Sequence, residues 1–195
     1  MNEMKRIILA SASPRRRELL EQVGIPFTVD TSDADETMPE GCAPAEYVEE
    51  LSGRKARAVA GRHPDEIVLG ADTIVALGDK ILGKPKDSDE AYDMLCMLSG
   101  RTHTVYTGVT IIYPQKGASR DMDVFHVRTD VRMYAADERI LRDYAASKEP
   151  LDKAGAYGIQ GKGAVLVESI DGDYSNVKGL PVAEVYRRLW PFIFS

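Results

Sequence analysis

The sequence predicts a mixed α/β fold, on three observations. Short apolar runs rich in β-branched residues alternate with segments whose apolar positions recur at helical spacing. Apolar residues make up 44% and charged residues 29% of the chain, a balance that supports a packed core and excludes a disordered chain. The 195 residues suffice for one substantial domain or for two small lobes about a shared cleft, and residues 1–195 read as a single domain without repeat or linker. The order of elements alone leaves the strand directions open.

Arg6 to Ala10 reads as a short buried strand. Ser13 and Pro14 follow as helix cap and first-turn proline, with Leu19, Leu20 and Val23 on one face and Gly24 as the stop. Pro26 to Asp30 is a second strand, and Ser32 to Cys42 is polar and turn-rich. A helix follows Pro44, with Tyr47, Val48, Leu51 and Val59 on it, Lys55 along it and Gly53 weakening it locally. Glu66 to Gly70 and Thr73 to Leu77 read as strand, interrupted by Asp72. Asp87 and Glu90 form a capping-box pattern ahead of Ala91, Met94, Leu95 and Leu98, and Gly100 ends that helix. Thr102 to Tyr113 and Met122 to Tyr134 are long strands that a turn over Pro114 to Gly117 would join as a hairpin. Asp137 to Ala146 reads as a helix with Ile140, Leu141 and Tyr144 inward. Gly155 to Gly163 reads as a glycine-rich loop, Ala164 to Ile170 as a strand and Pro181 to Leu189 as the last helix.

The formal net charge of −6 argues against a general nucleic-acid binder, which needs excess Lys and Arg for long phosphate backbones. A small polyanion can still be held where cations gather locally. Cys42 and Cys96 lack metal-type spacing and read as two free thiols in a reducing compartment. Ile7 to Ala10 is too short for a signal-peptide core, and no apolar run approaches a membrane span. The expected location is the cytoplasm, with neither membrane nor nucleic acid as partner.

Four stretches carry candidate chemistry. Ser11-Ala-Ser13-Pro14-Arg15-Arg16 places a strand-to-helix loop and two guanidinium forks where an anion could bind; the alternative is a capped helix with solvated arginines. In Gly70-Ala-Asp72-Thr73, an acid inside an apolar strand is costly unless paired, hydrated or bound to a metal. Beside a cleft, Asp72 could ligate a divalent cation or take a proton from water; otherwise it caps a turn. Lys84, in Gly83-Lys84-Pro85, and Lys55 on its helix are either phosphate point charges or solvated lysines. In Asp152-Lys153-Ala-Gly155-Ala-Tyr157-Gly158-Ile-Gln160-Gly161, glycines permit close backbone approach and the Gln160 amide offers both donor and acceptor to a nucleobase edge. The alternative there is a glycine-rich turn. Gly161-Lys162-Gly163 is not a phosphate-binding P-loop, which requires Ser or Thr after the lysine. His63, His103 and His126 are scattered without metal spacing, and Ile170-Asp-Gly-Asp173 holds only a fragment of a calcium loop.

Taken together, Ser11-x-Ser-Pro-Arg-Arg16, Gly70-Ala-Asp-Thr73, Leu82-Gly-Lys-Pro85 and Leu98-Ser-Gly100 form an ordered series. Glu149-Pro-Leu-Asp-Lys-Ala-Gly-Ala-Tyr-Gly-Ile-Gln-Gly161 and Gly179-Leu-Pro181 complete it. In order and spacing the series resembles the Maf family of nucleoside triphosphate pyrophosphatases over nearly the whole chain. The resemblance implies a Maf/ITPase-like α/β fold: a mixed twisted sheet flanked by helices, with two lobes around a deep cleft, often as a homodimer. It implies hydrolysis of a nucleoside triphosphate between the α and β phosphates, with a divalent metal cation, Mg²⁺ or Mn²⁺, as cofactor. It makes Asp72 the expected proton acceptor and Ser11, Arg15, Lys55 and Lys84 the expected phosphate and active-site contacts. Glu36, in Asp33-Ala-Asp-Glu36, aligns with an acidic family position that would help Asp72 place metal or water. Arg15, Thr73 and Gln160 match the subgroup that prefers dTTP and UTP, in contrast to the one acting on 7-methyl-GTP. Modified pyrimidine triphosphates are further expected substrates, which would make the role one of house-cleaning. The family name also carries a link to septum formation, which nothing in these residues shows.

Two rival readings follow from the same residues. A septum-associated or nucleic-acid-binding regulatory protein without catalysis would use the basic clusters Arg15 to Arg17 and Arg54 to Arg57, against the acidic total. A general phosphatase would release orthophosphate rather than pyrophosphate.

Overall fold

The strand-forming runs join in one mixed sheet. The computed structural model describes residues 5–37, 41–115, 117 and 119–193. β1 (Ile7–Leu9) lies parallel to β2 (Phe27–Val29) on one side and to β3 (Ile67–Leu77) on the other. Beyond β3, pairing is antiparallel through β5 (Thr102–Ile112), β6 (Met122–Met133) and β7 (Val167–Asp171). β4 (Lys80–Leu82) folds back on the end of β3. The order across the sheet is β2-β1-β3-β5-β6-β7. The long strands β5 and β6 form the expected hairpin; Lys116 of its turn, like residues 38–40 of the polar stretch, lies outside the described residues.

Helices cover both faces. α2 (Pro44–Ala60) packs Ala56, Val59 and Ala60 onto Ile8, Ala10, Val68 and Ile112. On the other face, α1 (Pro14–Gln22) and α6 (Val182–Ile193) pack Leu19, Leu20, Val185 and Leu189 onto Leu9, Leu69, Val109 and Ile111. A second core gathers Val75, Val105 and Val131 against α3 (Ser88–Leu98) and α4 (Glu138–Ala146) through Leu95, Leu98, Leu141 and Tyr144. Burial of each such aliphatic side chain contributes about 1.5–3 kcal/mol. β3, β5 and β6 run through both cores. On β3 the changeover falls between Ala71 and Val75, at Asp72 and Thr73.

Two glycines set how close α2 comes to the sheet. A Cβ on Gly108 would lie 2.1 Å from the Val48 carbonyl oxygen, and one on Gly70 would lie 2.6 Å from that of Ser52. Only a residue without a side chain fits there. Gly108 is the register partner of Asp72, so the closest helix–sheet approach falls beside that acid. A hydrogen bond between Ser52 Oγ and Thr110 Oγ1, 2.8 Å and buried, pins the contact.

Local expectations change in several places. Asp72 does not interrupt the strand: β3 is continuous, because the Asp72 backbone pairs opposite Gly108 and its carboxylate finds a lysine. Ser13 occupies the cap position but its side chain makes no capping bond; its own N–H donates to Ser11 Oγ at 3.2 Å. Ile140 is exposed, since the inward stripe of α4 is Leu141, Tyr144 and Ala145 and Ile140 falls beside it. The expected strand from Ala164 begins only at Val167, because Gly161–Leu166 curls into a 3-10 turn whose Lys162 and Gly163 amides donate to Glu149. The glycine-rich stretch likewise contains the short turn Ala154–Ala156. β4 and α5 (Tyr174–Lys178) had no periodic signal, being too short to show one. At α3, Asp87 Oδ1 accepts from the Glu90 N–H at 2.9 Å, while the Glu90 carboxylate reaches back to the Lys86 N–H at 2.7 Å. No helix among the described residues is long and apolar enough to cross a membrane.

Candidate active site

A cleft opens where the start of α1, the middle of β3 and the 152–160 segment meet. It has two recesses that share Ser13, Arg15, Lys55, Lys84 and Asp152. One is walled by the Ala10–Pro14 loop, Ser32 and Glu36. The other is walled by Asp72, Thr73, Tyr157 to Gln160 and Val177 to Gly179. All the residues expected from the sequence, Ser11, Arg15, Glu36, Lys55, Asp72, Thr73, Lys84 and Gln160, line one recess or both.

Lys55 is the hinge of the polar arrangement. Its Nζ donates to Asp72 Oδ1 at 2.5 Å and pairs with Glu36 Oε1 at 2.7 Å. The close approach of α2 at Gly70 and Gly108 makes this reach available. The Asp72 side chain is only 12% exposed, so the ammonium offsets a desolvation cost the carboxylate would otherwise carry. Asp72 Oδ2 bonds to none of the described residues and can accept from water or ligand. The hydrogen bond from Lys55 holds the Glu36 carboxyl below its usual value despite partial burial. Arg54 fixes the chain around Glu36, donating to the carbonyls of Asp35 at 3.2 Å and Thr37 at 2.8 Å. Burial, with the charges of Asp72 and Glu36, pushes the Tyr47 phenol up, which marks Tyr47 as a neighbour of the same group.

Arg16 ties the loop to the strand. Its buried guanidinium donates to the Gly179 carbonyl at 2.9 Å, to Ser11 Oγ at 2.9 Å and to Thr73 Oγ1 at 3.2 Å. Burial lowers its pKa, the Asp72 charge counteracts that, and a guanidinium remains protonated throughout the working range. Thr73 Oγ1 also shares a 2.9 Å hydrogen bond with Thr107 Oγ1. Ser11 and Thr73 are therefore held on one rigid donor, while the first-turn amides of α1 are left without a side-chain cap at an anion-suited helix start.

The other recess is shaped by anchors behind it. The Glu149 carboxylate accepts from Tyr144 Oη at 3.2 Å and from the amides of Lys162 at 3.1 Å and Gly163 at 3.2 Å. Tyr144 Oη in turn accepts from the Gly158 amide at 3.1 Å. These bonds bracket Gln160, whose side-chain amide bonds to none of the described residues. Tyr157 shares a buried 2.7 Å hydrogen bond with His103 Nε2, and burial pushes His103 down to about 4, so the imidazole is neutral at pH 7.

Sequence reading missed several cleft groups. Arg16 was seen as a second fork, not as the hub it is; Lys153 and Asp152 stood only as part of a glycine-rich run. Lys178, buried and paired with Glu18 at 2.8 Å, carried one available signal, its place just before Gly179-Leu-Pro181. The bonds of Arg16 to Gly179, Asp152 to Arg15 and Lys178 to Glu18 join residues distant in sequence, and no local pattern reports them.

A divalent cation suits this chemistry. No group of three or more His, Cys, Asp or Glu able to hold a metal occurs among the described residues. Asp72 and Glu36 nevertheless converge on one ammonium, so two carboxylates already share a cationic position. Mg²⁺ characteristically takes one or two carboxylates and completes its shell with water and substrate phosphates. Two carboxylates of this kind fit such an ion.

An α/β sheet carrying a cleft with Arg, Lys and helix-start donors at one end and an amide-bearing glycine-rich wall at the other defines a protein built for a phosphorylated small molecule. Residues 6–192 match the family model described as Maf-like protein, and the chain belongs to that family. A dTTP/UTP pyrophosphatase of Bacillus cereus (strain B4264) is 51% identical over 189 residues, covering 97% of this chain and 96% of the relative. A dTTP/UTP pyrophosphatase of Pelotomaculum thermopropionicum is 50% identical over 192 residues, covering 98% and 99%. Among solved structures, a HAM1 protein from Coxiella burnetii superposes with a TM-score of 0.51 at 14% identity, covering 96% of this chain and 100% of that one. That likeness is one of fold alone.

Proposed function

We propose that this chain hydrolyses dTTP and UTP to the nucleoside monophosphate and pyrophosphate, with a divalent cation as cofactor. The observation that carries the reading is the convergence of Lys55, Asp72 and Glu36 at the junction of the two recesses. The half-identical relatives with that activity, matched end to end, support the substrate. Ser11, Lys55 and Lys84 hold the triphosphate, Arg15 contacts the nucleotide where the two recesses meet, and Gln160 reads the pyrimidine edge while Thr73 fixes the wall beside it. Glu36, with Asp72 beside it, would hold the metal, which would neutralise charge on the phosphates.

Asp72 Oδ2 accepts a proton from water as the water oxygen bonds to the α-phosphorus. The bridging P–O bond to the β-phosphate breaks and pyrophosphate leaves with the electron pair. Lys55 fixes the orientation of the Asp72 carboxylate while the fixed cations meet the charge that develops.

The test is a product assay on the purified chain with Mg²⁺ or Mn²⁺ and dTTP, UTP, CTP, GTP and ATP in parallel. Pyrophosphate with UMP and dTMP, and slower turnover of the purine nucleotides, is the expected result. Orthophosphate as the product, or no turnover across the panel with either metal, would overturn the proposal.

A further inference from the structure

Arg15 does not face the cleft as a loose side chain. Its NH1 donates to Asp152 Oδ2 at 2.7 Å and its NH2 donates to the Asp152 carbonyl at 3.1 Å, across 137 residues of sequence. The second Asp152 oxygen, Oδ1, accepts from Lys153 Nζ at 2.7 Å, and the same ammonium donates to the Glu149 carbonyl at 2.6 Å. Arg15 and Asp152 line both recesses, so the pair stands at the waist of the cleft. Although burial acts the other way, hydrogen bonds from Lys153 and Arg15 hold the Asp152 carboxyl below its ordinary value, so it is a carboxylate at neutral pH.

The consequence concerns base choice. Uracil and thymine carry an acceptor, O4, where cytosine carries an amino donor. The Gln160 amide offers a donor and an acceptor, so by turning over it can match either edge. Gln160 alone therefore cannot separate UTP from CTP. A guanidinium has five donors and no acceptor, so when it is held at the 4-position of the base it matches O4 and opposes the cytosine amino group, whereas at N3 or O2 it would find an acceptor on cytosine too. It can enforce that difference only if it is kept from swinging away toward the triphosphate, and Asp152 supplies the restraint from both its side chain and its backbone.

We infer that Asp152 is a positioning residue for base selection, setting the preference for uracil and thymine over cytosine nucleotides by holding Arg15. The inference rests on the reading of this cleft as a dTTP/UTP pyrophosphatase site. Asp152 touches no reacting atom in this account; it acts through Arg15, and Lys153 braces it.

The experiment measures kcat and KM for UTP and CTP with the full chain as wild type, Asp152→Asn, Arg15→Ala and the double variant. Asp152 is more than half exposed, so Asp152→Asn is expected to fold normally. Its UTP-over-CTP ratio of kcat/KM should fall about tenfold, the scale of one misplaced charge-assisted hydrogen bond. Arg15→Ala should shift the ratio the same way, and the double variant no further, since the two act as one unit. Lys153→Met, which removes the brace, should give a smaller shift of the same sign. A uniform loss on both substrates with an unchanged ratio would make Asp152 merely structural and overturn the inference. An unchanged ratio in Asp152→Asn beside a collapsed one in Arg15→Ala also overturns it, and leaves the proposed function standing. An unchanged ratio in Arg15→Ala removes Arg15 from base reading and Asp152 with it.

Discussion

Asp72 is an acid in a strand whose other members are mostly buried and apolar, and its neighbours in sequence do not explain it. Lys55 does, from a helix that starts 28 residues earlier in the chain's path, through a 2.5 Å bond that occupies one carboxylate oxygen and leaves the other for chemistry. Asp72→Asn keeps the shape and an acceptor for Lys55 but loses the base. We expect turnover of UTP to fall about 10²–10⁴-fold with an unchanged melting temperature to within a few degrees. Activity near wild type in steady-state assays would take Asp72 out of the proton transfer. At this scale the sequence was informative wherever a residue's chemistry is conspicuous in its own surroundings, as with Asp72 or the helix-start arginines. It was silent on Arg16 as a hub, because its bonds to Gly179 and Thr73 span 163 and 57 residues and leave no local trace.

Among the elements, the one that builds the site is α2, and what admits it is the absence of two side chains. Gly108 and Gly70 let the helix backbone rest on the strands that carry Asp72 and its register partner. A methyl group at Gly108 would have to displace the Val48 carbonyl, so Gly108→Ala should cost about 1–3 kcal/mol and lift Lys55 away from Asp72. Gly61→Ala is the matched control: it ends the same helix in an ordinary right-handed conformation with open space around a Cβ, and should be neutral or slightly stabilising. Thermal melts and UTP turnover of both variants check this; equal melting temperatures would mean that the helix tolerates the shift. Long elements with strong periodicity, such as α3 and the β5–β6 hairpin, were legible in advance. The turn at Gly161–Leu166 was not, because the Glu149 carboxylate that curls it comes from a separate segment.

Over the whole molecule, strand direction was the least legible property, since the parallel β2-β1-β3 half and the antiparallel β3-β5-β6-β7 half are made of similar apolar runs. Two histidines, one in each half, give the folded chain an opposed response to pH. His63 bonds Asp30 at 2.9 Å and Glu66 at 2.7 Å, with Arg62 on the same Asp30, and those hydrogen bonds raise its pKa. A raised folded pKa contributes stability that is fully present below the ordinary histidine value near 6.5 and is lost as pH rises through the folded value. His103, buried in the second half against Tyr157 with Asp130 the nearby charge, is pushed down to about 4 by burial. Its neutral form is the one the fold accepts, so its contribution is present above 6.5 and is lost as pH falls toward 4, by roughly 3 kcal/mol at the acid end. Melting temperatures from pH 4.5 to 8.5 separate the two. His103→Asn should melt below wild type at pH 7.5, with the gap narrowing as pH falls to 4.5, because only the wild type must refuse a proton there. His63→Gln should show the reverse: its deficit is largest in the acid range and shrinks on the alkaline side, where the wild-type imidazole has lost its charge. Parallel melting curves for wild type and His103→Asn across this range would mean that the imidazole takes up a proton in place, and that acid weakens the fold through its carboxylates instead.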